Sequence, residues 1–287
     1  MRAVFHHELK NYFHSMTAYL FCGFLLLFVG IGAMLYNIQS AVANFEYVLE
    51  FVCIGLVVIV PVLTMKVISE EKKQKTDQLL YSLPLKTTQI VMGKFFALLV
   101  IFLIPTAVIA VYPLIFSLYG EVYLPTSYGT LAAFLFLGAA LISIGIFVSS
   151  LTESQGFAAG IAIPVLLLNY YSVRLADYVS STTMGSVICL ALLIAAVALL
   201  IRHLTQSDPA AWGAGAAGIA ALAALAYLDP DALEGLLPDL MSQLSLFERF
   251  YVFVDGVFDI TSLVFFVTVI LFFLFLTVQS LEKRRYN

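Results

Sequence analysis

The sequence predicts an all-α membrane protein, a polytopic bundle of about eight transmembrane helices. Of its 287 residues, 62% are hydrophobic and only 11% are charged, and the mean hydropathy is +1.02. Soluble domains are roughly 45–50% apolar and about 25% charged, because charge must cover their surface. The apolar residues also lie in long runs. These observations place most of the chain in lipid and exclude a soluble enzyme, a nucleic-acid-binding protein and a disordered protein.

Eight apolar runs are candidates for membrane-spanning helices. A spanning helix needs about 20 apolar residues, because in hydrocarbon every backbone N–H and C=O must be bonded within the segment. The second, fifth and seventh runs are shorter than the others. In chain order the predicted spans are Thr17–Tyr36, Phe51–Met65, Phe95–Leu118, Gly129–Leu151, Gly156–Val173, Thr183–Ile201, Ala211–Leu228 and Ile260–Ser280.

The basic residues predict the orientation of these spans. Eight spans leave both termini on the same side of the membrane, and cytoplasmic segments carry an excess of Lys and Arg. All but two of the 14 Lys and Arg residues fall on the side of the termini, and the two exceptions are Arg174 and Arg249. We therefore expect both termini and the loop 66–94 to face the cytoplasm.

The N-terminal segment 1–15 is expected to form an amphipathic helix at the cytoplasmic interface. Its apolar residues recur at helical spacing, and polar residues occupy the remaining faces. No Cys or second carboxylate pattern accompanies the histidines, so we interpret them as part of a solvated face and predict no metal site. The apolar set is Phe5, Leu9, Tyr12 and Phe13, and the polar set is His6, His7, Glu8, Lys10, Asn11 and His14.

The loop 66–94 contains the most informative polar stretch. Ser69 is a candidate N-cap, and the acidic Glu70 and Glu71 would follow in the first helical turn, where they favour the helix dipole. A second helical start at Thr76–Asp77 leads into a row of leucines, and Pro84 limits further helix. Leucines on a short polar loop indicate a docking partner, although a solvated loop that only fixes the topology is the alternative. The leucines are Leu79, Leu80 and Leu83.

The segment 229–259, predicted on the external side, shows apolar residues at three- and four-residue steps. One or two amphipathic helices packed over the ends of the spans would give this pattern. Its acidic residues match no calcium-loop spacing, so no metal site is predicted there.

The chain lacks the residues that chemistry would need. The spans contain almost no ionisable residue, which disfavours an ion-coupled transporter and an intramembrane protease. Gly93-Lys94 is the only Gly-Lys pair, and Thr88 stands where a phosphate-binding loop needs Gly. The three cysteines, Cys22, Cys53 and Cys189, lie inside apolar runs. We therefore predict no catalytic residue, cofactor or metal site, and we expect any ATP hydrolysis to occur on another subunit.

Several motifs, in their order and spacing, resemble the permease subunits of type-2 ABC transporters, in the gliding-motility and nitrous-oxide-accessory branch. The resemblance is strong over residues 1–155 and 247–287. The motifs are Glu8-Leu-Lys-Asn-Tyr-Phe13, Pro61-x-Leu-Thr-Met-Lys66, Glu70-Glu71-x-x-x-x-Thr76-Asp-x-Leu-Leu80, Ser82-x-Pro84, Gly93-Lys94-Phe95, Ser149-Ser-Leu-Thr-Glu153-Ser-Gln155 and Leu274-Phe-Leu-Thr-Val-Gln-Ser-Leu-Glu-Lys-Arg-Arg285.

This resemblance implies a multi-pass protein of the bacterial cytoplasmic membrane, with residues 1–287 as one permease domain. Its partners would be two copies of an ABC ATPase subunit and a second permease, either another copy or a paralogue. The resemblance also implies export, because members of this family usually export their substrates. Spans six and seven would be additions to a six-span core, or Ala211–Leu228 would pack inside without crossing. The implied ATPase-coupling residues are Glu70, Glu71, Thr76, Asp77, Leu79, Leu80 and Glu153.

Two alternatives from other classes remain at this stage. A membrane anchor for a cytoplasmic complex would show the same leucine row without transport. A multispan enzyme such as an acyltransferase would need a clustered acid–base set at one interface, and no such set is visible.

Overall fold

The computed structural model describes residues 1–76, 86–176, 208–228 and 236–286, with scattered positions between 187 and 202. This described part is helical, as the sequence predicts, and contains no strand. Residues 1–168 and 249–285 form one compact unit, and residues 169–248 belong to another.

The first unit begins with a 13-residue helix and continues with helices joined by short connections. One residue, Ser15, separates α1 from α2, and its extended backbone (φ −89°, ψ 153°) changes the chain direction there. The helices are α1 (Arg2–His14), α2 (Met16–Ala33) with a π-helical turn at Met34–Gln39, α3 (Glu46–Thr64), α4 (Ser69–Gln74), α5 (Thr87–Ile109), α6 (Tyr112–Phe116), α7 (Leu124–Leu151) and the start of α8 (Gln155–Ala176).

Four further helices follow α8 in the described part of the chain. The second unit contains α9 (Asp208–Leu228), α10 (Leu236–Gln243) and the beginning of α11 (Leu246–Val254), and the chain ends in α12 (Ile260–Tyr286). Helices α10 and α11 lie within the segment 229–259 for which the sequence predicts one or two amphipathic helices. Residues 229–235 of that predicted segment lie outside the described residues.

Within the described residues, six helical segments are long and apolar enough to cross a membrane. They correspond to the first five predicted spans and to the eighth. Of the other two, Thr183–Ile201 lies largely outside the described residues. Ala211–Leu228 lies within the helix α9, which is not one of the six. The six segments are Met16–Gln39, Glu46–Gln74, Thr87–Phe116, Leu124–Leu151, Gln155–Ala176 and Ile260–Arg284.

The core of the first unit lies around α7. Of the most apolar stretch of α7, 83% is buried, against 22% of the corresponding stretch of α12. Helix α7 is therefore central, and α12 presents most of its surface outward. Glycines allow its neighbours to approach closely: a Cβ at Gly138 would overlap the ring of Phe102 on α5, and a Cβ at Gly145 would overlap Thr64 on α3. Helices in lipid pack through such small residues.

In the second unit, Asn169 holds the turn between α10 and α11. Its amide nitrogen donates to the carbonyl of Leu244 (3.1 Å), and its amide oxygen accepts from the backbone N–H of Leu246 (3.0 Å). Ser245 caps α11 by accepting a hydrogen bond from the backbone N–H of Glu248 (3.2 Å). These bonds satisfy the backbone groups that a sharp turn between two helices leaves open.

Candidate functional site

A buried lysine joins three helices at the end of the first unit where α4 lies. The Nζ of Lys94 on α5 contacts Glu8 Oε1 on α1 at 2.6 Å and Glu71 Oε1 on α4 at 2.7 Å. It also donates to the carbonyl of Val67 at 2.9 Å. Lys94 is only 1% exposed. We refer to Glu8, Glu71 and Lys94 as the charge cluster.

The geometry of the charge cluster meets the requirements of a buried ion. An ammonium group has three N–H donors, and here three oxygen atoms lie within hydrogen-bonding distance of Lys94 Nζ. Burying an ion costs several kcal/mol, and removing one partner of a buried ion pair destabilises a protein by about 3–5 kcal/mol. The cluster therefore holds α1, α4 and α5 together as long as all three side chains are present.

Tyr12 fixes α1 to the end of α3. Its hydroxyl is buried and donates to the carbonyl of Leu63 at 3.0 Å, which keeps the aromatic ring against the protein. Burial raises the pKa of the Tyr12 hydroxyl well above its ordinary value, so the group stays a donor at any physiological pH. Carboxylates that raise this pKa further are those of Glu8, Glu70 and Glu71.

The prediction that Ser69 is the N-cap of α4 is wrong, and a serine of α7 accepts the hydrogen bonds of this helix end instead. The N-cap position is Ile68, and the hydroxyl of Ser69 donates to the carbonyl of Met65. Ser149 on α7 accepts hydrogen bonds from the backbone N–H groups of Ile68 (3.2 Å) and Ser69 (3.1 Å). Its hydroxyl also donates to the carbonyl of Met65 at 3.0 Å. A side chain distant in sequence thus satisfies the open N–H groups of this helix end.

The C-terminal end of α7 receives further contacts. Lys72 on α4 and Ser280 on α12 both donate to the carbonyl of Ser150, the hydroxyl of Ser280 at 3.2 Å. A cation near the last carbonyls of a helix is favoured by the helix dipole. These contacts attach both α4 and α12 to the same end of α7.

Just beyond α7, Glu153 and Arg284 form an exposed ion pair at 2.6 Å. The hydrogen bond from Arg284 holds the pKa of the Glu153 carboxyl below its ordinary value. The pair joins the turn after α7 to the last helix, but its exposure means that it adds little to stability.

The model of the family described as "ABC-2 family transporter protein" matches residues 3–189, which is more than half of the chain and includes every residue of the charge cluster. The chain belongs to the ABC-2 transporter family. No curated protein matches its sequence.

Membership in this family makes the chain a multi-pass permease subunit of an ABC transporter, and it implies association with an ABC ATPase subunit. The resemblance to type-2 permeases drawn from the motifs is therefore confirmed. Three of those motifs supply the three members of the charge cluster, namely the ones that contain Glu8, Glu70-Glu71 and Gly93-Lys94-Phe95.

The structure describes four of the seven predicted coupling residues, and these four make different contacts. Glu71 belongs to the charge cluster, whereas Glu70 accepts a hydrogen bond from Gln74 (3.2 Å) one turn along α4. Thr76 follows α4, and its N–H donates to the carbonyl of Glu71 (3.0 Å). Glu153 pairs with Arg284 beyond α7. The remaining three, Asp77, Leu79 and Leu80, lie outside the described residues.

The assignment of Glu8 to a solvated polar face is wrong. Glu8 is 7% exposed and lies on the same face of α1 as the buried Val4 and Tyr12. The reason is the ion pair with Lys94, 86 positions along the chain, which makes burial of the carboxylate favourable. A lysine flanked by apolar residues, as in Val91-Met-Gly-Lys-Phe95, is the sequence signal that could have indicated a buried charge.

A second buried carboxylate lies at the opposite end of α3. Glu46 is 2% exposed, and its Oε1 accepts a hydrogen bond from the hydroxyl of Ser127 on α7 at 2.7 Å. Its Oε2 is buried and has no hydrogen-bond partner in the described part of the chain. Glu46 lies outside the predicted span Phe51–Met65, whereas the helix begins at Glu46 itself.

No metal centre is found among the residues that the structure describes, since no three His, Cys, Asp or Glu side chains there are grouped to hold an ion. The three N-terminal histidines of α1, His6, His7 and His14, are exposed.

Proposed function

We propose that this permease couples ATP hydrolysis on a separate ATPase subunit to movement of its spans through α1, α4 and the segment that follows α4. The observation that supports this proposal best is the charge cluster. It joins the N-terminal helix and the α3–α5 connection to the core by charged contacts that a lipid-facing loop would not need.

The direction of force transmission follows from the contacts of α4. An ATPase that binds this short helix moves Glu71 and Lys72 with it. Glu71 is attached to α5 through Lys94, and Lys72 is attached to α7 through the carbonyl of Ser150. Since protein interiors are close-packed and deform little, such a displacement moves α3, α5 and α7 largely as rigid bodies.

The docking surface itself would be the leucine row of residues 79–83 together with the exposed part of α4. Sequence supports this assignment, because Leu79 and Leu80 follow a charged helix on a polar loop. Glu153 and its turn would form a second contact, next to the C-terminal end of α12.

The complete transporter would contain two ATPase subunits and two permeases, identical or paralogous, in a bacterial cytoplasmic membrane with both termini of this chain in the cytoplasm. The motif pattern favours the gliding-motility and nitrous-oxide-accessory branch and export as the direction. ATP would be bound by the ATPase, and this chain would hold no cofactor.

The test is co-purification of the tagged full-length permease, co-expressed with its ATPase, from detergent-solubilised membranes. We expect a stoichiometric subunit that hydrolyses ATP. The double variant Leu79→Asp with Leu80→Asp should lose that subunit while still inserting into the membrane. Leu118→Asp with Tyr119→Asp is the matched control, because these side chains are 80% and 87% exposed in the connection between α6 and α7.

Two outcomes would contradict the proposal. Normal retention of the ATPase by the Leu79 and Leu80 variant would remove the docking assignment. Recovery of the permease with a partner that hydrolyses no ATP would favour the membrane-anchor function instead.

A further inference from the structure

The N-terminal helix α1 has four distinct rows of side chains along its length. Successive residues of an α-helix are about 100° apart, so positions that differ by four form a row and positions that differ by two face nearly opposite directions. One row, Val4, Glu8 and Tyr12, is buried against the rest of the unit. The row offset by two residues consists of Arg2, His6, Lys10 and His14, and all four of these side chains are exposed.

The exposed row is cationic because the only acidic residue of α1 is buried. Glu8 forms an ion pair with Lys94, and its side chain is only 9% exposed. Arg2 and Lys10 therefore face the surroundings without an acidic neighbour on the same helix. His14 lies beside them, and its Nδ1 donates to the carbonyl of Lys10 at 2.9 Å.

The two remaining rows give this helix a defined position at a bilayer surface. On one side of the cationic row lie Phe5, Leu9 and Phe13, which are half-buried, and on the other side lie exposed small or polar residues. Helix α1 leads through Ser15 alone into α2, whose first turns expose Met16 (80%) and Leu20 (65%). Interfacial helices place such an apolar row at the acyl boundary and their basic residues at the headgroups.

We propose that the cationic row Arg2, His6, Lys10 and His14 binds the phosphate of anionic phospholipid headgroups, so that α1 is held between the charge cluster on one face and lipid on the other. Charge complementarity identifies the occupant: the row carries basic groups only, and an anionic headgroup is the nearest anion to a helix that continues directly into a span. The polar row Ala3, His7 and Asn11 then remains available to the ATPase. This inference does not rest on the proposed coupling function.

The experiment uses the full-length protein purified in a neutral detergent. Binding of phosphatidylglycerol and of phosphatidylcholine with the same acyl chains is measured by native mass spectrometry. We expect the wild-type protein to prefer phosphatidylglycerol and the double variant Arg2→Gln with Lys10→Gln to lose at least about tenfold in apparent affinity for it, since each basic residue near an anionic surface contributes about 1 kcal/mol.

The matched control is Lys73→Gln with Lys75→Gln, which removes the same charge from exposed positions at the C-terminal end of α4. This control should keep the wild-type preference. A second variant, His6→Gln with His14→Gln, should give a smaller loss.

Equal loss in the lysine control would show attraction by total charge only and would overturn the assignment to α1. Unchanged phosphatidylglycerol binding in the Arg2 and Lys10 variant would overturn it as well. If that variant instead lost the ATPase, the row would belong to a protein interface.

Discussion

Thr64 occupies the space beside Gly145 in which any larger side chain would have to lie. A Cβ at position 145 would overlap Thr64 Oγ1 and would come within 2.8 Å of Thr64 Cβ. Thr64 is itself fully buried, and its hydroxyl donates to the carbonyl of Val60 at 3.0 Å in its own helix. The contact brings α3 and α7 together one turn before α4 begins.

Gly145→Ala is therefore expected to destabilise the protein by about 1–3 kcal/mol, because overpacking forces the two backbones apart. The measurement is an SDS unfolding titration in mixed micelles. Gly160→Ala serves as the control, since a Cβ at Gly160 meets nothing within 4 Å and Ala favours a helix more than Gly. Equal stability of the two variants would contradict the close α3–α7 packing.

Lys94→Met should lower the stability of the protein more than Glu8→Gln or Glu71→Gln does. It leaves the carboxylates of Glu8 and Glu71 near each other without the ammonium group that joins them, and removing one partner of a buried pair costs about 3–5 kcal/mol. The measurement is the apparent unfolding temperature of the purified permease, compared with Glu8→Gln and Glu71→Gln. The triple variant that neutralises all three should recover part of the loss. A triple variant no more stable than Lys94→Met would argue against an electrostatic role.

Ser127→Ala should cost about 1–3 kcal/mol of stability, because it removes the hydrogen bond that the buried Glu46 carboxylate accepts from the Ser127 hydroxyl. Replacing both partners in Ser127→Ala with Glu46→Leu should bring stability back close to that of the wild type. The control is Ser143→Ala on the same helix, whose hydroxyl donates to the nearby carbonyl of Ala140. SDS titrations of these four proteins test the prediction, and a double variant less stable than Ser127→Ala would contradict it.

The contact between Glu153 and Arg284 should depend on pH. Because the folded-state pKa of Glu153 is depressed below its ordinary 4.5, the contact is fully present above that value and is lost as the pH falls through the lower folded pKa. Distance measurements between spin labels at Ser154 and Lys283 should therefore broaden only in that acidic range. Glu153→Gln should show the broad distribution at neutral pH, and an unchanged narrow distribution in this variant would exclude the ion pair as its cause.

Most of the helical architecture could be predicted from the sequence, because apolar runs in lipid have to form helices that satisfy their own backbone groups. The helix starts were less accurate. Glu46 begins α3 five residues before the predicted span, since its carboxylate is buried by contact with Ser127 and not by local hydrophobicity. Ser69 was a reasonable N-cap by residue type, but Ser149 from α7 performs that function.

The candidate site was predicted only in part for the same reason. The acidic residues at the start of α4, Glu70 and Glu71, were predicted to belong to the ATPase-coupling site, and Glu71 lies in the charge cluster. Its partners Glu8 and Lys94 are 86 positions apart, and helical periodicity assigned Glu8 to a solvated face. Periodicity describes one helix at a time and cannot show which other helix supplies a counter-charge.

Composition and the length of the apolar runs by themselves determined that this protein is a helical membrane bundle, because transfer of backbone and side chains between water and lipid depends on local sequence. The order of motifs added the permease family. Only the tertiary structure decided which polar groups are buried together, namely Lys94 with Glu8 and Glu71, Ser149 with the start of α4, and Glu46 with Ser127. A buried charge is tolerated only where distant residues supply its partners, and the packing of the helices alone brings those residues into contact.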